Sequence, residues 1–262
     1  MVTGVVTYTG RLVLSLVNYV GEFTMLLWQT ICLIFVPPYK VQRILSQARR
    51  IGPGSFFISS LVAFFTGVII SLQMAYQMVE LSAEIYIPNI VAVSLTRELA
   101  PVLTALIVAG RVGAGITAEI GSMTVTEQVD ALKAFAVNPV KYLVVPRFLA
   151  LIIMLPVLTI FADIIGIFGG YLICVNKLNI GTHLFLNMVL QSVTVKDIMT
   201  GLIKTVIFGA IIAIVGCHQG LRVKGGAEGV GRSTTVSVVI SFILIIMSDA
   251  LFTTLFYFIF RI

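Results

Sequence analysis

Charge is scarce in this chain. Asp, Glu, Lys and Arg make up 11% of its 262 residues, against roughly 25% in soluble domains. Hydrophobic residues make up 59% and the mean hydropathy is +1.10. That balance excludes a soluble globular domain and predicts an integral membrane protein. Cysteine is also rare: Cys32, Cys174 and Cys217 lie far apart and form no CxxC pair, so neither a disulfide framework nor a zinc site is indicated. The two histidines, His183 and His218, are isolated. No GxxxxGK[ST] loop is present to cradle nucleotide phosphates, and HExxH and GxSxG are missing. Gly225–Gly231, GGAEGVG, follows no strand and has the wrong spacing for a dinucleotide fingerprint. Catalysis by the chain itself is therefore not expected, nor is a metal or cofactor of its own. No basic n-region precedes a short apolar core and cleavage site, so a removable signal peptide is not expected.

What is abundant is long apolar sequence. Ser55–Val79 runs 25 residues without a charged side chain, long enough to cross a bilayer. Four more spans are expected at Asn89 to about Ala118, Phe148–Ile173, Met199–Gln219 and Thr234–Phe260. Leu12–Val36 is interrupted by Asn18, Glu22 and Gln29; it either spans or lies among the headgroups as an amphipathic anchor, and the anchor is favoured. Residues 1–54 thus form an N-terminal segment ending in a basic loop, and residues 55–262 a five-helix domain. Lys and Arg then fix the orientation. One side carries ten, at 40, 43, 49, 50, 133, 141, 147, 222, 224 and 232; the other carries three, Lys177, Lys196 and Arg261. The positive-inside rule places the ten in the cytoplasm and the C-terminus outside. The net charge of +6 and pI of about 9.4 are thus a topology signal and not a nucleic-acid footprint.

One polar island stands out, Glu119–Pro139, EIGSMTVTEQVDALKAFAVNP. It reads as a short cytoplasmic helix over about 124–136. Thr124 or Thr126 can cap it, Glu127 and Asp130 suit its first turns, and Asn138-Pro139 stops it. Val129, Leu132, Phe135 and Ala136 form its apolar face. Such a helix either touches a soluble partner or rests on headgroups.

Ionisable groups inside spans are costly and mark function by default. Arg97, Glu98, Lys204 and Asp249 are two positive and two negative charges that can neutralise one another across helices. They form either a structural ion-pair cluster or the polar wall of a cavity for an amphiphile's headgroup. Asp163 is expected to make a helix–helix hydrogen bond, and Arg111 to snorkel. Ala105, Ala109 and Gly113, and again Gly166, Gly169 and Gly170, offer close-packing stripes. On the first span Ile70, Met74, Gln77, Met78 and Leu81 share a soft face that suits acyl chains or ordinary packing.

Two stretches carry a resemblance. Ser94–Arg147, SLTRELAPVLTALIVAGRVGAGITAEIGSMTVTEQVDALKAFAVNPVKYLVVPR, and Gly225–Val239, GGAEGVGRSTTVSVV, are similar to the MlaE (YrbE) family of ABC-transporter permeases; the likeness extends from about Pro53 onward. It implies a homodimer in the bacterial inner membrane with a periplasmic C-terminus. It further implies a cytoplasmic ATPase of the MlaF type, which binds the ATP, and a periplasmic MCE-domain protein of the MlaD type. The substrate class it implies is phospholipid moving between inner and outer membranes. By the same resemblance the polar island is the coupling helix, with Glu119, Thr126, Glu127, Gln128, Asp130 and Leu132 in its motif. Arg97, Glu98, Lys204 and Asp249 match the intramembrane charged cluster, and Leu99 with the first-span face lines the lipid cavity. Gln77 and Met78 depart from the more aliphatic residues of better-known members, which puts the substrate in question. Two other readings stay open on the residues alone: an ion-coupled secondary transporter working by itself, and a membrane anchor for other subunits. Five spans without visible inverted repeats count against the first.

Overall fold

The computed structural model describes residues 2–37 and 41–260, and among them it is helical with no strand. Its elements are α1 (Val2–Ile34), α2 (Val41–Glu80), α3 (Glu84–Val125), α4 (Gln128–Ala134), α5 (Val140–Asn176), α6 (Thr182–Ser192), α7 (Val195–Leu221) and α8 (Gly226–Phe260). Five of these, α2, α3, α5, α7 and α8, are long and apolar enough to cross a membrane. The fold is that of an all-α, five-span membrane protein.

The spans are longer than the apolar runs that mark them. A backbone N–H or C=O near lipid must be bonded within its own segment, so helix continues through polar ends. Residues 41–54, expected as a loop, are the first turns of α2, with Pro53 inside the helix; the division between residues 54 and 55 falls within one element. α2 has 40 residues, about 60 Å at 1.5 Å per residue, twice the roughly 30 Å hydrocarbon core. The basic turns therefore stand outside that core. Likewise the loop expected over 220–233 shrinks to a turn, with Gly225 (φ +92°) and Gly226 (φ +68°) in the left-handed region that glycine enters freely.

Within lipid, close backbone approach holds helices together where hydrophobicity cannot. α2 packs along α5, and a Cβ at Gly67 would meet the carbonyl oxygen of Gly166. A Cβ at Gly169 would likewise meet the carbonyl oxygen of Phe64. The second stripe works between α3 and α7: Ala105 and Ala109 are fully buried, Gly113 faces Ile212, and Gly216 faces the carbonyl of Gly113.

α1 stays at the basic end. The Tyr19 hydroxyl accepts from Gln219 Nε2 at 2.6 Å, Glu22 pairs with Arg222 at 3.2 Å, and His218 packs edge-on against the Tyr19 ring. Burial raises the Tyr19 phenol above its ordinary pKa, which keeps it neutral in this contact. Leu33 lies beside Tyr142 and Lys141 in the first turns of α5. Tyr19 and Leu33 are about 21 Å apart along the helix, yet both meet span ends at the basic end. This half of α1 therefore runs across the bundle's end and not up its side.

Candidate functional site

Two places collect the candidate side chains, one a third of the way along α3 and one just past its end. The first is built on a defect. α3 contains π-helical turns at Leu95–Leu99 and Ala109–Gly113, and such turns often mark functional positions. Pro101 has no N–H to offer the carbonyl of Arg97, and Lys204 Nζ from α7 lies 3.4 Å from that oxygen. The same ammonium donates to Glu98 Oε2 at 2.6 Å and to Thr253 Oγ1 at 2.7 Å. It also forms an ion pair with Asp249 Oδ1 of α8 at 2.9 Å, without hydrogen-bond alignment. The Thr253 hydroxyl lies 3.1 and 3.2 Å from the two Glu98 oxygens. The Lys204 side chain is 1% exposed, so three helices are joined through one desolvated cation.

Arg97 does not join that group. Its Nε donates to Asp197 Oδ1, and the Asp197 side chain is 1% exposed. Asp197 Oδ2 in turn accepts from the Thr194 backbone N–H and hydroxyl at 2.8 and 2.7 Å, closing a reciprocal N-cap on α7. Asp197, expected in a loop, is thus a buried partner, and the four-charge cluster is a three-charge group plus a neighbouring ion pair. Sequence reasoning missed Asp197 and Thr253. Both had a signal: Thr194-x-x-Asp197 follows the capping-box spacing, and Thr253 sits one helical turn after Asp249.

A small cavity of about 80 Å³ opens beside this group, lined by Arg97, Glu98, Lys204, Thr253, Phe256 and Tyr257 among others. Of the first-span face, none reaches it. Ile70, Met74 and Met78, with Leu99, pack on the core formed by Ala75, Ile87, Val91 and Leu95, while Gln77 and Leu81 are exposed. That face is split between core and surface. Asp163 on α5 has one buried carboxylate oxygen without a partner, so the expected helix–helix hydrogen bond at that atom is not made. Arg111, at the basic end, donates to Ser55 Oγ at 3.1 Å.

The second place is the polar island, which the structure divides. Its first part completes α3, and the Thr124 and Thr126 hydroxyls bond back to the carbonyls of Ile120 and Ser122. Neither threonine caps the short helix, which is α4, Gln128–Ala134, and not 124–136. Its N-cap is Glu127, held at φ 58° with no side-chain cap bond. The helix ends in a Schellman motif: Val137 N donates to Leu132 O, Ala136 N to Lys133 O, and Ala136 adopts φ 56°. Asn138-Pro139 starts the next helix instead of stopping this one, since Asn138 Oδ1 accepts from Val140 N at 2.9 Å. Val129 is buried, Leu132 half-buried, and Glu127, Gln128 and Asp130 exposed, with Asp130 held by Lys133 at 2.7 Å. Phe135 is 80% exposed. Glu119 lies apart from α4 and faces inward, paired with Arg50 and buried Arg147, each at 3.0 Å.

The structure thus holds a buried ion-pair group within the spans and a solvent-facing helix on a short turn at the basic end. Comparisons with known proteins show the family. The sequence model of the family described as Permease MlaE matches residues 44–255. The chain belongs to the MlaE permease family. A probable ABC transporter permease protein of Rickettsia typhi is 42% identical over 255 residues, covering 97% of this chain and 98% of its own. Another, from Synechocystis, is 44% identical over 205 residues, 78% of each chain. The Arabidopsis thaliana protein TRIGALACTOSYLDIACYLGLYCEROL 1, chloroplastic, is 34% identical over 213 residues, 81% of this chain and 61% of its own. As an MlaE-family ABC transporter permease, the chain is a multi-pass membrane protein, and the stand-alone secondary transporter is set aside.

Proposed function

We propose that this permease is the membrane subunit of an ATP-driven transporter that moves phospholipid between the inner and outer membranes of a bacterium. It works as a homodimer in the inner membrane, with the basic end in the cytoplasm and the C-terminus in the periplasm. A separate ATPase of the MlaF type binds and hydrolyses ATP, and a periplasmic MCE protein of the MlaD type exchanges lipid with it. The sequence resemblance supports these partners, the galactolipid in the name of the Arabidopsis relative supports a lipid substrate, and the excess of Lys and Arg supports the orientation. The tying of α1 to the basic end supports an interfacial, non-spanning helix.

The observation that carries the coupling role is α4 with Phe135 beside it, a solvent-facing surface joined to α3 by the two-residue turn Thr126-Glu127. When the ATPase subunits close on ATP, a load on α4 passes into α3. From Val125 to Glu98, α3 is a lever of about 40 Å with a π-helical turn near its middle and another under Glu98. Movement at that second turn shifts Glu98 and Arg97 against Lys204 and Asp197, altering the cavity beside them. Packed interfaces convert such small shifts into discrete rearrangements.

The test is the permease carrying Glu127→Gly and Phe135→Ala, reconstituted with its ATPase. Glycine keeps the left-handed backbone at 127 without strain, and neither side chain is buried, so the fold is retained. ATP-dependent lipid transfer falls by about tenfold or more, the loss of roughly 1.4 kcal/mol of coupling. Unchanged transfer would remove α4 from the coupling path.

A further inference from the structure

A cavity of about 430 Å³ lies at the basic end, far from the Lys204 group, between the end of α1, the start of α2, the segment after α4 and the first turns of α5. Its size falls within the roughly 300–1,000 Å³ of ligand pockets. Leu33, Ile44, Val145 and Leu149 wall it with apolar surface, and Arg43 and Lys141 stand over it. Several other cations of this end are neutralised, Arg50 and Arg147 by Glu119, Lys133 by Asp130 and Arg222 by Glu22, and those that are not, such as Lys224 and Arg232, do not line this cavity. Arg43 and Lys141 have no carboxylate partner among the described residues. The Arg43 guanidinium lies 3.4 Å over the centre of the Tyr142 ring, and Lys141 Nζ donates to the Pro37 carbonyl at 3.0 Å. α5 begins at the same spot, so its positive N-terminal end adds to the two cations.

Level decides what such a cavity meets. α1 crosses the basic end with Met25 and Trp28 exposed, apolar and aromatic groups that suit the headgroup boundary. An apolar chamber under two unneutralised cations at that depth matches an amphiphile with an acidic head, and juxtamembrane basic residues attract acidic lipids. We propose that this cavity holds one anionic glycerophospholipid of the adjoining leaflet. One acyl chain lies against Val145 and Leu149, and the phosphate lies between Arg43 and Lys141. The lipid is a fixed partner that ties α1 to the segment after α4, and it is separate from any lipid being transported.

The probe is phosphatidylglycerol with a diazirine on one acyl chain, added in mixed micelles to the purified full-length permease and photolysed. Label is expected in the peptide holding Val145 and Leu149. Unlabelled phosphatidylglycerol displaces it; phosphatidylcholine and inorganic phosphate do not. R43Q/K141Q loses at least about fivefold of the labelling, as removal of two charge-assisted contacts requires, while K224Q/R232Q at the same end keeps it. No label in that peptide, equal displacement by phosphatidylcholine, or unchanged labelling in R43Q/K141Q overturns the proposal. Displacement by inorganic phosphate makes this a free-anion site and overturns it too. Should R43Q/K141Q not fold, the competition on the wild type decides alone. Label on peptides holding Glu98 or Lys204 reports the transport path separately, so failure of either reading is seen apart from the other.

Discussion

Lys204 is the residue on which the intramembrane site turns. It faces two carboxylates, Glu98 and Asp249, from two other helices, so its removal leaves two like charges together with no cation between them. Lys204→Met is expected to destabilise the fold by roughly 3–5 kcal/mol, the cost of breaking a buried pair from one side. The triple change E98Q/K204M/D249N is expected to be milder, because it leaves no uncompensated charge. Thermal unfolding in detergent separates the two, and equal or additive losses contradict the pairing. A second residue-level expectation concerns Asp197, which caps α7 and holds Arg97 at once. Asp197→Ala should cost more than the ~1 kcal/mol of an ordinary cap and more than Arg97→Gln, which leaves the cap in place; equal losses would show that the cap contributes nothing beyond the ion pair. That charges sit inside the spans was legible from sequence, because ionised side chains stand out in apolar runs. Their partners were not. Arg97 and Glu98 are adjacent in sequence and point apart on a helix, so one neighbour cannot take both, and nothing in the local pattern shows that Asp197 is drawn under Arg97.

At the scale of elements, apolar pattern located every span and misjudged their ends. Pro53 with its flanking glycines reads as a helix breaker, yet α2 runs through it, because packing on α5 outweighs local propensity. Thr124 and Thr126 read as caps, yet they bond back within α3, as threonine does inside helices. Capping signals are local, whereas the choice between starting a helix and finishing one depends on what lies beyond. The glycine stripes were legible in kind, though not in partner. Gly67→Ala is expected to lower stability by about 1–3 kcal/mol, since the added methyl meets a backbone oxygen that cannot swing aside. Gly21→Ala, with nothing near its Cβ, should leave stability unchanged or raised. Equal behaviour of the two variants in thermal unfolding would refute close α2–α5 contact.

For the whole molecule, the two candidate places are joined by one helix, about 40 Å from Val125 to Glu98, which is the route we propose from a soluble motor to a site within the bilayer. The apolar exterior of α8, with Val239, Ile243, Ile246 and Met247 outward, leaves surface for lipid or for the second copy. The most direct measurement is to isolate the chain from its native membrane in mild detergent and identify what accompanies it. An ATPase, an MCE-domain protein and bound phospholipid, with ATP hydrolysis that responds to lipid, are the predicted result. A chain that comes away without an ATPase and carries no lipid would contradict the assignment of this permease to ATP-driven phospholipid transport.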